Sequence, residues 1–149
     1  MTRDTDPAVT NDPRFDVIPV NVDGVLHAIN NGGECVGHSM APDGAMHAIH
    51  LSAAGVIDLG TLGGSASSAR GISNAGSIVG GALTEGDVSY HAFFYEAGVM
   101  HDLNRLISPD VDCELIQALG INDHGDIIAY GHYDGADRVL LLKRRDQQR

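Results

Sequence analysis

Three ten-residue blocks of this chain align on one another, and the pattern they share leaves few folds open. The blocks are Ala28–Gly37, Gly71–Gly80 and Gly120–Ala129, and each carries Ile, then Asn or Ser, two variable residues and Gly. The glycines Gly33, Gly76 and Gly125 stand 43 and 49 residues apart, a period typical of repeated supersecondary units. An Asn or Ser oxygen can hold a type I turn, and a glycine three residues on supplies positive φ without steric cost. Together they specify a tight hairpin closed by a G1 bulge, with the flanking apolar residues as its strands.

A second hairpin follows each of the first two blocks. Met46 to Leu51 leads through Ala54-Gly55 into Val56 to Leu59, and Tyr90 to Tyr95 leads through Ala97-Gly98 into Val99 to Leu103. After the third block only the leading strand remains, Arg138-Val139-Leu140-Leu141-Leu142. Val17-Ile18-Pro19-Val20 resembles Val56-Ile57-Asp58-Leu59, so the absent partner is expected at the N-terminus, paired with the C-terminal strand. The count is then about twelve strands, and the pairing closes an array whose open edges would invite aggregation. No stretch sustains a 3.6-residue apolar period, so almost no helix is expected. The expected organisation is a disordered N-terminal arm (1–14), a single repeat-built β domain (15–143) and a disordered basic tail (144–149).

Composition agrees with a turn-rich β domain. The chain has 149 residues, enough for one domain with a real core, and 19 of them are glycine, a share well above the usual ~7%. Trp is absent and aromatics are few, so Val, Ile, Leu and Ala must fill the core. No apolar run approaches the ~18 residues of a membrane span. Net charge is −11, and a net +3 in the tail from Lys143 to Arg149 leaves −14 on residues 1–142. A body this acidic repels phosphate backbones and argues against a nucleic-acid partner. Met1 to Asn11 is polar, with no secretory h-region. Cys35 and Cys113 are too few for a disulfide framework and are expected as small buried side chains.

The stretch from His47 to Leu103 resembles the HAF repeats of bacterial, often extracellular, proteins. It is carried by His91-Ala92-Phe93, by Asp58-Leu59-Gly60-Thr61-Leu62-Gly63-Gly64-Ser65, and by Ala69-Arg70 running into the second block. Residues 111–143 match only through Gly120 to Gly125, with Arg138-Val139-Leu140 standing where His-Ala-Phe would be. The resemblance implies a secreted or cell-surface β-repeat scaffold, propeller-like in its blades, with no activity attached to the motif residues. Three units of four strands in a chain this long also fit a β-trefoil. The fold expectation is therefore all-β, three antiparallel four-stranded repeats, with propeller-like blades first and a trefoil as the alternative.

The residues that could carry chemistry read more simply as structure. His47 and His50 point to opposite strand faces, whereas His91 and His101 lie on neighbouring strands and could meet. His47 and His91 occupy equivalent places, which favours a bond from each imidazole to a backbone carbonyl between units. No spacing typical of a four-ligand zinc site exists. Asp58 and Asp102 are equivalent too, and a repeated Asp braces a turn. Gly63-Gly64-Ser65 lacks the lysine of a phosphate loop and reads as a β-turn. Asp110, Asp112 and Glu114 form an acidic cluster that could hold calcium but more simply faces water. No catalytic, metal or cofactor residue is assigned. The expected function is a non-enzymatic binding or interaction module, monomeric or weakly oligomeric, for a protein, glycan or small molecule. The alternative is a hydrolase or carbohydrate-active enzyme, favoured if Asp110, Asp112 and Glu114 converge with His124 or His132.

Overall fold

A computed structural model describes residues 10–145. Among them the chain is all-β, with no α-helix and only two short 3-10 turns, Glu85–Asp87 and Leu103–Arg105. Eleven strands form three antiparallel meanders. Sheet A contains β1 (Gly24–Ile29), β2 (Cys35–Met40), β3 (Met46–Ser52) and β4 (Gly55–Gly60). Sheet B contains β5 (Gly63–Ile72), β6 (Ile78–Thr84), β7 (Tyr90–Glu96) and β8 (Val99–Asp102). Sheet C contains β9 (Cys113–Ile121), β10 (Ile127–Tyr133) and β11 (Ala136–Leu142). Strands follow chain order within each sheet.

The turns are built as their residues require. Gly33, Gly76 and Gly125 donate their N–H groups to the carbonyls of Asn30, Ser73 and Asn122 at 3.0–3.1 Å, and their φ values are 79°, 93° and 86°. The side chain of the first turn residue then accepts across the loop. Asn30 Oδ1 takes the N–H of Gly32 and Glu34, Ser73 Oγ that of Ser77, and Asn122 Oδ1 those of His124 and Asp126. An L-residue with a Cβ would be strained at the glycine.

Sheet B lies between the other two and buries both faces. Along β6 and β7 the side chains alternate: Ile78, Ala82 and Phe93 face sheet A, while Val79, Ala92 and Phe94 face sheet C. This is the period of two expected of a strand, here apolar on both sides. Val36, Ala48 and Leu59 complete the first core, and Leu115, Ala118, Ile127 and Ala129 the second. The first seam also has a polar stitch. Ser67 of β5 accepts from the N–H of Ala48 at 2.7 Å and donates to the carbonyl of Gly60 at 2.5 Å.

Three expectations are corrected. Residues 17–20 form no strand, and Phe15, Val17, Ile18 and Val20 are exposed. β11 pairs with β10 alone, so sheet C has three strands and the chain eleven. The cause is the order of stacking: with B in the middle, the segment preceding β1 starts on the A side of the stack, whereas β11 belongs to C. Gly63-Gly64-Ser65 is not a turn but the bulged start of β5, whose pairing skips from Gly63–Thr84 to Ser67–Ala82. Both cysteines are half-buried rather than buried. Residues 1–9 of the expected arm and 146–149 of the expected tail lie outside the described residues.

Candidate functional site

The histidines are the most conspicuous reactive groups, and the sheets pair them with carboxylates. Asp58 stands opposite Ile49, and Asp102 opposite Phe93, so each Asp lies diagonally across from a His two residues earlier on the same face. His47 Nδ1 meets Asp58 Oδ2 at 2.8 Å, and His91 Nδ1 meets Asp102 Oδ2 at 2.7 Å. The expected imidazole-to-carbonyl bond between units is therefore corrected: the partner is a carboxylate within the same sheet. The turn-bracing role holds at the same time, because Asp58 Oδ1 accepts from Gly60 N and Asp102 Oδ1 from Asn104 N.

The second pair reaches further. His91 Nε2 lies 3.3 Å from Glu114 Oε2 of β9. Asn104, held by Asp102, clamps Leu115 from both sides: its Nδ2 donates to the Leu115 carbonyl at 2.9 Å, and its Oδ1 accepts from Leu115 N at 2.7 Å. His91, Asp102 and Asn104 thus tie sheet B to sheet C. Burial disfavours the Asp102 anion, but the bonds from His91 and Asn104 outweigh it and hold the carboxyl below its ordinary value.

The remaining candidates disperse. His50 Nε2 lies 3.2 Å from Glu34, and His101 stacks on Phe94 at 6.4 Å, away from His91. His132 pairs with Asp137. Asp110 and Asp112 are exposed. Glu114 stands opposite His132 in the β9–β10 register, but its carboxylate lies against His91 and His132 pairs with Asp137, so the three acids do not gather around His124 or His132. Among the described residues no group of three or more His, Cys, Asp or Glu is placed to hold a metal ion. Sequence reasoning missed one contact at the A–B seam: His38 Nδ1 lies 3.0 Å from Ser68 Oγ and 3.3 Å from His27 Nε2. Burial, then Arg70 and His38, keep the His27 pKa low. Ser68 and His27 both meet the same ring nitrogen of His38, so His38 is not held between a hydroxyl and an orienting group on its opposite nitrogen as a catalytic base is.

The feature that breaks the sheet-to-sheet likeness is the stretch from Leu103 to Asp112, which lengthens the link from sheet B to sheet C. With Phe94, β10 and β11 it borders an open groove of about 920 Å³. The groove has apolar walls that include Leu106, Ile107, Val111 and Tyr133. Arg105, Lys143, Arg144 and Arg145 stand along it, four of the chain's nine Lys and Arg residues, against one acid, Glu96. Arg144 is fixed there, since its N–H donates to Asp126 Oδ1 at 2.9 Å and its guanidinium lies 5.6 Å above the Phe94 ring. The insertion was visible in the 49-residue spacing. Its apolar lining was not, because Leu106, Ile107 and Val111 are scattered among polar residues.

Comparison of the chain with models of known families, with curated proteins and with solved structures yields no match.

Proposed function

We propose that this chain is a non-enzymatic binding module whose three sheets are propeller-like blades, as in the HAF-repeat proteins it resembles. Each sheet is an antiparallel meander that packs face to face on the next with no shared ladder, which favours blades over the hairpin barrel of a trefoil. The single observation that carries the binding reading is the groove between sheets B and C. A concave, mostly apolar site with a few placed charges is the usual form of a ligand pocket, and this one gathers cations on an otherwise acidic chain. Its chemistry suits an extended apolar ligand ending in a carboxylate: the chain lies along Leu106, Ile107 and Tyr133, and the anionic end faces Arg105 and Arg145. The enzyme alternative loses support because Asp110 and Asp112 are exposed and the Glu114 carboxylate is taken up by His91 rather than by His124 or His132.

Isothermal titration with dodecanoate tests the reading, with dodecanol as the uncharged control. Dodecanoate is expected to bind more tightly than dodecanol. Arg105→Glu should remove that preference, and Leu106→Trp, which fills the groove, should weaken both ligands. Wild-type protein that binds neither, or binds both equally with Arg105→Glu unchanged, overturns it.

A further inference from the structure

Each outer sheet presents a face that matches, position by position, one that the middle sheet buries. Sheet B turns Val79, Gly81, Ala92 and Phe94 towards sheet C. By strand register, Ile128, Tyr130, Val139 and Leu141 hold the same places in sheet C. Ile128 pairs with Leu141 and Tyr130 with Val139, and the four are 47%, 37%, 73% and 63% exposed. The opposite face repeats the pattern. Sheet B turns Ile72, Ile78, Tyr95 and Met100 towards sheet A, and sheet A holds Ile29, Cys35, Leu51 and Val56 in those places, with Ile29 67% and Val56 50% exposed, while Ile49, in the place of Phe93, is already buried. The outer face of C is thus the kind of surface that receives a following sheet, and that of A the kind that stacks on a preceding one.

The hairpin turns show the same polarity. Asn31 N donates to Asn74 Oδ1 at 2.6 Å, and Asn74 N donates to Asp123 Oδ1 at 2.8 Å. Each turn therefore offers its backbone N–H to the side chain of the next. Among the described residues, the ladder ends with the Asn31 side chain unpaired on sheet A and the Asp123 N–H unpaired on sheet C. One end has the acceptor that the other end needs.

A third observation is independent of both. Sheet C lacks a fourth strand, while residues 17–20 lie apolar and exposed ahead of β1.

The geometry points to head-to-tail association of this chain with a second copy. The outer face of sheet C stacks on the outer face of the next copy's sheet A, as B stacks on A and C on B within one chain. Asp123 N–H then donates to Asn31 Oδ1 of the next copy. Residues 17–20 of that copy add to β11 as β4 adds to β3. Such a heterologous contact closes into a ring if the rotation allows and otherwise extends. The inference rests on the blade arrangement proposed above.

Sedimentation equilibrium of the full chain over a concentration series tests it. Wild type is expected to exceed monomer mass. Ile128→Asp/Val139→Asp spoils the C face, and Ile29→Asp/Val56→Asp spoils the A face. Each variant alone should associate at least tenfold more weakly, but an equimolar mixture should form a 1:1 dimer, because one intact C face and one intact A face remain. Deletion of residues 12–21 should also weaken wild-type association. Circular dichroism melts establish that the variants fold, and the wild-type mass stands without them. A wild type that stays monomeric to concentrations on the order of 100 μM, with residues 17–20 protected from proteolysis on its own β11, overturns the inference in favour of closure within one chain. A mixture that fails to associate, or an A-face variant that still dimerises, also overturns it by indicating a face-to-face contact. Dodecanoate binding by the monomeric variants reports on the groove separately.

Discussion

Replacing Asp102 by Ala should destabilise the fold far more than replacing Asp58, although the two residues occupy equivalent places. Asp102 accepts three hydrogen bonds, from His91 Nδ1 at 2.7 Å, Asn104 N at 2.9 Å and Asn104 Nδ2 at 3.1 Å. Its side chain is only 15% exposed, whereas that of Asp58 is 50% exposed and accepts two bonds. Bonds to a charged group contribute roughly 1.5–3 kcal/mol each when shielded, and exposed ion pairs about 0–1 kcal/mol. The three bonds are not additive, because Asn104 makes two of them and must also keep its clamp on Leu115. Allowing for that, Asp102→Ala should cost about 3 kcal/mol and Asp58→Ala about 1 kcal/mol. Urea unfolding at neutral pH measures both, provided the denaturant slope stays unchanged. In a thermal scan the larger loss corresponds to about 6–12 °C. A double-mutant cycle with His91→Ala should return a coupling of about 1–2 kcal/mol. Equal losses for the two aspartates, or an Asp102→Asn protein as stable as wild type, would refute the view that this relay ties sheet B to sheet C.

Acid should act on the same seam. Asp102 and Asp123 are both held below the ordinary carboxyl value, Asp123 by the backbone N–H and then the carboxamide of Asn74. Their stabilisation is full above the usual carboxylate range and is lost as pH falls through the lowered values, so stability should drop on acidification, and less steeply in Asp102→Asn. Gly80→Ala should cost about 2–3 kcal/mol, since a Cβ there would clash with the Ser68 carbonyl and lie 2.9 Å from the Phe93 ring; a neutral result in a thermal melt would show the backbone yields. Zinc should leave the melting temperature of wild type and of His91→Ala unchanged, and a zinc-dependent rise lost in His91→Ala would make His91 a metal ligand. Far-ultraviolet circular dichroism should show β-structure with under about 10% helix.

Local chemistry was legible at the three repeated turns, though not at Gly63-Gly64-Ser65, which starts a strand instead of turning. The Asn or Ser-x-x-Gly blocks became turns with left-handed glycines because turn geometry depends only on residues within a few positions of one another. Strand bounds followed from the same signals, and Asp58 and Asp102 brace turns as their repetition implied. What sequence could not reveal were choices made across space. The imidazoles of His47 and His91 took a carboxylate on the neighbouring strand, a partner selected by the register of the hairpin. His38 met Ser68 only because sheet A packs on β5. The groove beside Leu103 to Asp112 exists because scattered apolar residues of a loop meet the edges of two sheets.

The order of the sheets shows the same division at larger scale. Ile78 to Ala82 and Ala92 to Phe94 run without a polar residue, a pattern that suits a strand buried on both faces, since successive side chains point to opposite sides. The apolar residues 17–20 were also readable as a strand in search of an edge. Which edge they meet depends on where sheets A and C lie relative to each other, and that is decided by B packing between them. Backbone pairing is satisfied by any free edge, so sequence alone specifies the need for a partner, and tertiary packing selects the partner.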